Sequence, residues 1–186
     1  MLSLSKHRPR AALRQAQGPP RDRIDRLRDH PGTASTGSGT TQALDRNDKM
    51  IIDQHILDEL TAEAKGSPRL RMNLDLRNSP ADASQRMLNA IEPGTVLPIH
   101  RHRTSSETVV CLRGHFEEYF YDAEGRLTDT IDMVPGGTLI NIPAGQWHSL
   151  KSLASGTVLL ECKDGPWTPL ADEDVLSAGE FVTYNK

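Results

Sequence analysis

Two glycine-bounded runs in the second half of the chain constrain it most. The first reads Gly94, five residues, His100, one residue, His102, four residues, Glu107, six residues, Gly114; the second reads Gly137, five residues, Pro143, one residue, Gly145, two residues, His148. Residues two apart on a strand point to the same face, so His100 and His102 present two imidazoles in one direction. The polar stretch 103–106 turns the chain, Glu107 opens the next strand, and His148 follows a Pro-Ala-Gly turn in a different hairpin. Three imidazoles and a carboxylate on short strands form a mixed nitrogen and oxygen donor set. Such a set suits one divalent metal ion: Fe(II), Mn(II), Ni(II) or Zn(II). A lone pair of histidines would say little. The whole series of intervals marks His100, His102, Glu107 and His148 as metal ligands.

This spacing resembles the two sequence motifs of the cupin superfamily. The first motif matches at every fixed position. The second matches through His148 and carries Ser152 where the superfamily usually closes on Asn. The resemblance implies an all-β fold, a cupin jelly-roll β-barrel (double-stranded β-helix) with a short N-terminal helix. The segments Ser67–Asn73, Gln85–Ala90, Ile142–His148 and Glu161–Trp167 further resemble the WbuC-type cupin-fold metalloproteins. These are small bacterial proteins often associated with O-antigen and surface-polysaccharide gene clusters. The match runs from about Met50 to about Pro169. That group more often has Asn and His where this chain has Asp75 and Arg77, so no shared ligand contact is carried over there. Arg71 and Asn73 match positions that precede the barrel and are expected to bind substrate. A guanidinium there can hold a phosphate or carboxylate, or lock the N-terminal segment to a partner subunit.

A chain of 186 residues fits one domain. The formal net charge is -3, unevenly placed: residues 1–49 hold ten basic and five acidic residues, and the remainder twelve and twenty. The acidic balance of the main body excludes a nucleic-acid footprint. Cys111 and Cys162 both lie in apolar strand patterns, which suits reduced buried thiols better than a disulfide scaffold. No apolar run approaches the ~20 residues of a membrane helix. The basic N-terminus lacks the apolar stretch of a secretory signal, so a cytoplasmic location is expected.

Residues 1–49 contain no aromatic residue, many Arg, and a Gly/Ser/Thr run over 32–41. Such a segment cannot bury enough apolar area to offset its ordering entropy. It is expected to be a disordered basic tail or a mis-called start, with Met50 as the physiological first residue. Residues 50–84 form an N-terminal helix and lead-in: Ile52, Ile56, Leu57, Leu60 and Ala64 have helical spacing across 51–65, and Gly66 and Pro68 stop the helix. The barrel spans 85–170, with strands expected at 85–92, 96–102, 107–112, 115–121, 126–134, 138–142, 149–153 and 157–163. Residues 171–186 are an acidic tail that packs along the barrel or a neighbouring subunit. All eight aromatics lie at or after Phe116, which places the core there.

Strand parity sorts the remaining candidates. If Glu107 points into the barrel, so do Val109 and Cys111, the thiol being a small buried hydrophobe or, near iron, a catalytic group. Gln85, Met87, Asn89 and Ile91 share a face, so Gln85 can reach substrate in the cavity while Arg86 points away. On 157–163, Leu159, Glu161 and Lys163 share one face and Val158, Leu160 and Cys162 the other. Either the apolar set is inward and the charges are solvated, or Glu161 and Lys163 stand in the barrel mouth as catalytic residues, a clamp or a proton relay.

Four protein ligands leave about two positions open on a six-coordinate ion. The expectation is one divalent metal acting on a small polar, sugar-derived substrate as a Lewis acid in isomerase, epimerase or lyase chemistry, within surface-polysaccharide metabolism. Two alternatives stand beside it: an Fe(II)-dependent dioxygenase, and a metal-dependent binding module without turnover. A homodimer is expected, with no nucleic-acid or membrane partner.

Overall fold

The computed structural model describes residues 50–176. The readings of residues 1–49 and of residues 177–186 lie outside the described residues.

The first element is helix α1 (Gln54–Gly66), whose start is set by Asp53: the Ile56 amide donates to Asp53 Oδ1 at 3.1 Å. That cap satisfies a backbone donor the helix leaves free and moves the start inside the expected 51–65. Its stripe of Ile56, Leu57, Leu60, Thr61 and Ala64 is buried. The strands follow as β1 (Arg71–Asp75), β2 (Ser84–Ile91), β3 (Ile99–His100), β4 (Glu107–Arg113), β5 (Phe116–Tyr121), β6 (Leu127–Met133), β7 (Leu139–Ile142), β8 (Trp147–Ser152), β9 (Thr157–Asp164) and β10 (Val175–Leu176). They form two five-stranded sheets, ordered β1-β2-β9-β4-β7 and β10-β3-β8-β5-β6. Every pairing is antiparallel. Successive strands repeatedly cross between the sheets, the connectivity of a jelly roll, and the all-β cupin-type barrel with one short helix is the fold of this chain.

The apolar residues form two clusters, one on each face of the β1-β2-β9-β4 sheet. Inside the barrel, Ile91, Val109, Cys111, Phe116, Met133, Ile142 and Leu159 pack together. Outside it, Leu74, Leu88, Ala90 and Val158 are sealed by Ile56, Leu57, Leu60 and Ala64 of the helix. The outer cluster has no aromatic residue, so the expectation of a core confined to the aromatic half is corrected. Half the apolar burial lies under the helix, where aliphatic side chains fill the narrow space between a helix and a sheet.

Three strand boundaries also differ from expectation. The strand expected at 96–102 pairs only over Ile99–His100, because Pro98 has no amide to give a ladder. His148 lies within β8, which starts at Trp147. In the described start of the tail expected to pack along the barrel or a partner, Ala171 leads into a short 3-10 turn, Asp172–Asp174, and β10 then joins β3. Ser152, in place of the usual Asn, is buried and its hydroxyl reaches the Ile91 and Ala154 carbonyls at 3.0 Å each.

Gly114 shows why its motif position admits no side chain. Its φ is +82°, and a Cβ would lie 2.6 Å from the Thr157 Cα. The chain makes this close approach just after β4 shifts register against β9 between Cys111 and Arg113.

Candidate metal centre

His100 and His148 face each other across the β3–β8 pair, with ring centroids 4.4 Å apart. His102 joins them at 5.1 Å from His100 and 6.0 Å from His148. One donor nitrogen from each ring lies within 4.8 Å of the others. The ring orientations have local causes. His100 Nδ1 meets the Pro98 carbonyl at 3.2 Å and His148 Nδ1 meets the Gln146 carbonyl at 3.0 Å. A carbonyl only accepts, so each Nδ1 carries a proton, which leaves Nε2 as the metal-binding nitrogen of the neutral ring.

The alternate residues of the same segment hold it from outside. Arg101 Nε and Arg103 Nε donate to Asp174 Oδ1 at 2.9 and 2.5 Å, and the Arg101 amide donates to the Asp174 carbonyl at 3.1 Å. The Arg101 guanidinium also lies 4.5 Å over the Trp147 ring. From the second motif, the Gly145 amide donates to the His102 carbonyl at 2.7 Å. Arginines outward and histidines inward are thus two parities of one ribbon.

Glu107 sits in a cross-strand row with Lys163 and Ile142, and Gln85 follows Lys163 on β2. Its Oε1 lies 2.8 Å from His148 Nε2 and its Oε2 3.4 Å from His102 Nε2. The 2.8 Å approach lacks hydrogen-bond alignment, and His148 Nε2 is a buried nitrogen without a hydrogen-bond partner among the described residues. Two acceptors so close require a proton or a cation between them. Burial, then the neighbouring His148, pushes His100 down to about 3, and burial, then Lys163, pushes His102 down to about 4. Both are neutral near pH 7. Burial alone would raise Glu107, but His148, Lys163 and His102 hold it well below the usual carboxylate range. Burial lowers His148, and the Glu107 carboxylate 2.8 Å away outweighs that and raises it. Two neutral imidazoles, an ionised carboxylate and His148, whose proton a cation beside Glu107 would displace, are donors a metal can use, and the set fits one divalent ion. Lys163 Nζ lies 3.0 Å from His102 Nε2, so ammonium and metal compete for that lone pair.

Around these residues a half-open cavity of about 1380 Å³ runs into the barrel. Lys163 donates to Glu107 at 3.0 Å and to Glu161 at 2.8 Å, and Asn89 Nδ2 donates to the second Glu161 oxygen at 3.2 Å. Burial lowers Lys163, but Glu161 and Glu107 together raise it. Glu161 and Lys163 therefore face inward, and the reading that solvates them is corrected. The helix buries Val158 on the opposite parity and packs against Leu160, so both faces of β9 are covered. Gln85 lies at the rim, its amide donating to the Gly165 carbonyl at 3.1 Å. Asn73 lines the cavity and its amide approaches Met87 Sδ at 3.2 Å. Arg71 lies opposite Ile91, six residues along β2 from Gln85, at the other end of that sheet and apart from the Lys163 network. Burial, then Arg69, lowers its pKa, and it has no ion pair among the described residues. Cys111 is a buried thiol raised by burial, consistent with an inert hydrophobe.

Sequence reasoning missed Glu118. It lines the cavity, is 1% exposed, and its Oε2 has no hydrogen-bond partner among the described residues. Burial, with Glu107 and Glu161 nearby, pushes it up to about 8 against a weaker pull from His148. Its signal was an acid between Phe116 and Phe120 on one strand parity.

Residues 52–133 match a family described as a domain of unknown function, DUF6016. No curated protein matches the sequence. Among solved structures, the chain is similar to the cupin domain of Schizosaccharomyces pombe Cnp3, with 14% identity, a TM-score of 0.43, and 51% of this chain and 64% of that one covered. It is similar to KdgF from Halomonas sp. at 17% identity and a TM-score of 0.43, covering 55% and 83%. It is also similar to a recombinant oxalate oxidase in complex with glycolate, at 14% identity and a TM-score of 0.47, covering 57% of each chain. The chain thus spans less than two thirds of the length of the Cnp3 domain and of the oxidase. Among the described residues no helix is long and apolar enough to cross a membrane.

Proposed function

We propose that this chain is a metal-dependent cupin of the WbuC type. In this reading it binds one divalent ion, Fe(II), Mn(II), Ni(II) or Zn(II), through His100, His102, Glu107 and His148, and acts on a small sugar-derived molecule. The observation that carries the proposal is the convergence of three imidazoles, their donor nitrogens within 4.8 Å of one another, on the Glu107 carboxylate 2.8 Å from His148 Nε2. When bound, the metal would supply a Lewis acid that polarises a carbonyl or hydroxyl. The chain's own residues do the rest. Lys163, an ammonium between two carboxylates, holds a proton at Nζ beside the ligand, with Glu161 as its exchange partner. Gln85 orients polar groups at the rim, and Arg71 and Asn73 receive an anionic group deeper along β1. This suits isomerase, epimerase or lyase chemistry in surface-polysaccharide metabolism.

A second reading, a binding module without turnover, is favoured by one observation. Lys163 is fully engaged by Glu107, Glu161 and His102, which leaves it little freedom as a base. We also propose a homodimer, paired through outer strands such as β7, where Leu139 is exposed.

Elemental analysis of purified wild type, His102→Ala and His148→Ala tests the metal assignment. The wild type is expected to carry about one ion and both variants to lose most of it. Full metal in both variants would sink the ligand set.

A further inference from the structure

We propose that Glu118 is a second working group of this cavity: a neutral carboxylic acid that donates a hydrogen bond to an oxygen of the ligand. The ligand class is then a small hydroxy acid or sugar acid, whose carboxylate or carbonyl oxygen accepts from the protein. The inference rests on the reading above, that the imidazole site binds a small polar molecule.

The argument begins with strand parity. Phe116, Glu118 and Phe120 alternate along β5 and share the inward face. Phe120 stands opposite His148, and Glu118 stands opposite Leu150 and Ile131. Glu118 is therefore one same-face residue pair deeper than His148, on the neighbouring strand. Leu150 and Ile131 give its carboxyl nothing to bond, and a buried carboxyl without a partner is costly. The nearby acids are accounted for. Glu107 and Glu161 are held by Lys163, and Asp75 by Arg77 at 2.6 Å. Glu118 alone among these four has no cation and no donor among the described residues, yet the cavity reaches it.

Burial decides its state, and the charged groups around it modify it. From β8, β4 and β9 it faces His148, Glu107 and Glu161. Burial favours the protonated form and outweighs the opposing pull of His148, with Glu107 and Glu161 adding to it, so the O–H is present as a donor. A carboxylic acid kept neutral by an apolar site in order to donate is a known catalytic device. No ion pair joins Glu118 to an imidazole among the described residues, so it is not placed as a metal ligand.

Two variants separate the roles. Glu118→Gln keeps a neutral donor of the same shape, while Glu118→Met keeps the bulk and removes the donor. The full chain is loaded with Co(II), and its visible bands are followed during titration with glycolate and with D-glucuronate. Cobalt content is expected to be the same in all three proteins. Glu118→Met should weaken the probes about tenfold, the loss of one net hydrogen bond, and Glu118→Gln should stay close to wild type. Unchanged probe binding in Glu118→Met overturns the proposal. So does loss of cobalt in that variant, which would make Glu118 a ligand, or the absence of any probe response in the wild type. A wild type that takes up no metal sinks the metal reading itself. The acid is then judged by infrared spectroscopy, which also serves if Glu118→Met does not fold. The wild type near neutral pH should show the carbonyl stretch of a protonated, buried carboxyl that Glu118→Gln lacks; if the two spectra coincide, the proposal is wrong.

Discussion

The β1-β2-β9-β4 sheet has two buried faces that differ in kind. The outer face, under α1, is aliphatic and closed. The inner face is apolar toward Phe116 and Met133 and polar toward Glu107, Lys163 and Glu161. β9 contributes to both: Val158 lies beneath the helix while Leu159, Glu161 and Lys163 turn inward. The lesson concerns division of labour. An ordinary barrel strand must spend its inward parity on apolar residues, because its outward parity is wet. Here the helix gives the outward parity something to bury, which frees two inward positions, Glu161 and Lys163, for charge. Arg113 fastens the arrangement, donating from the end of β4 to the Leu57 carbonyl and Thr61 hydroxyl of the helix at 2.8 Å each.

Breaking the outer face should cost the most stability. Leu60 is fully buried, and Leu60→Ala should lower unfolding free energy by about 2–5 kcal/mol. Chemical denaturation measures this, and metal content per folded molecule should not change. If the metal site fails in parallel, the two faces are not separable. Gly114→Ala probes the seam at the end of β4. A left-handed backbone and a Cβ pressed on Thr157 should together cost about 2–4 kcal/mol. A loss under 1 kcal/mol would show that the approach relaxes freely.

The third experiment sharpens the inner face alone. Glu118 is raised to about 8 from the ordinary 4.5 by burial. The folded state therefore holds a proton that the unfolded state releases between those values. The stability this proton confers is complete below about 4.5 and is lost as pH rises through 8, at no more than about 1.4 kcal/mol per pH unit. Glu118→Gln should remove that decline, so its stability relative to wild type should rise from pH 5 to pH 8. Parallel curves for the two proteins would mean the carboxyl is ionised.

How much of this was legible in sequence depends on range. The histidines and Glu107 were readable because their spacing is local and strand geometry turns it into direction. Glu161 and Lys163 were readable only as one of two parities. Both parities of 157–163 contain apolar residues, and the choice is made by the helix that starts a hundred residues earlier in the chain. Glu118 failed for the same reason: Phe116 and Phe120 mark one parity of β5, but Tyr119 and Tyr121 mark the other. Arg71 and Asn73 were suggested by resemblance, and their register showed what resemblance could not, that Arg71 stands apart from the Lys163 network. Asp174 carried no local pattern and meets Arg101 across 73 positions.

That last contact has a consequence for where this protein can be cut. The resemblance read from sequence runs only to about Pro169, which invites a truncation there. Such a cut would delete Asp174, which accepts from both guanidiniums, and Glu173, which pairs with Arg103 at 3.0 Å, and leave Arg101 and Arg103 as adjacent, uncompensated cations behind His100 and His102. Their mutual repulsion would be relieved by twisting the ribbon, and a twist is what an inward pair of imidazoles cannot tolerate. A few acidic residues of indifferent appearance thus set the usable boundary of the barrel.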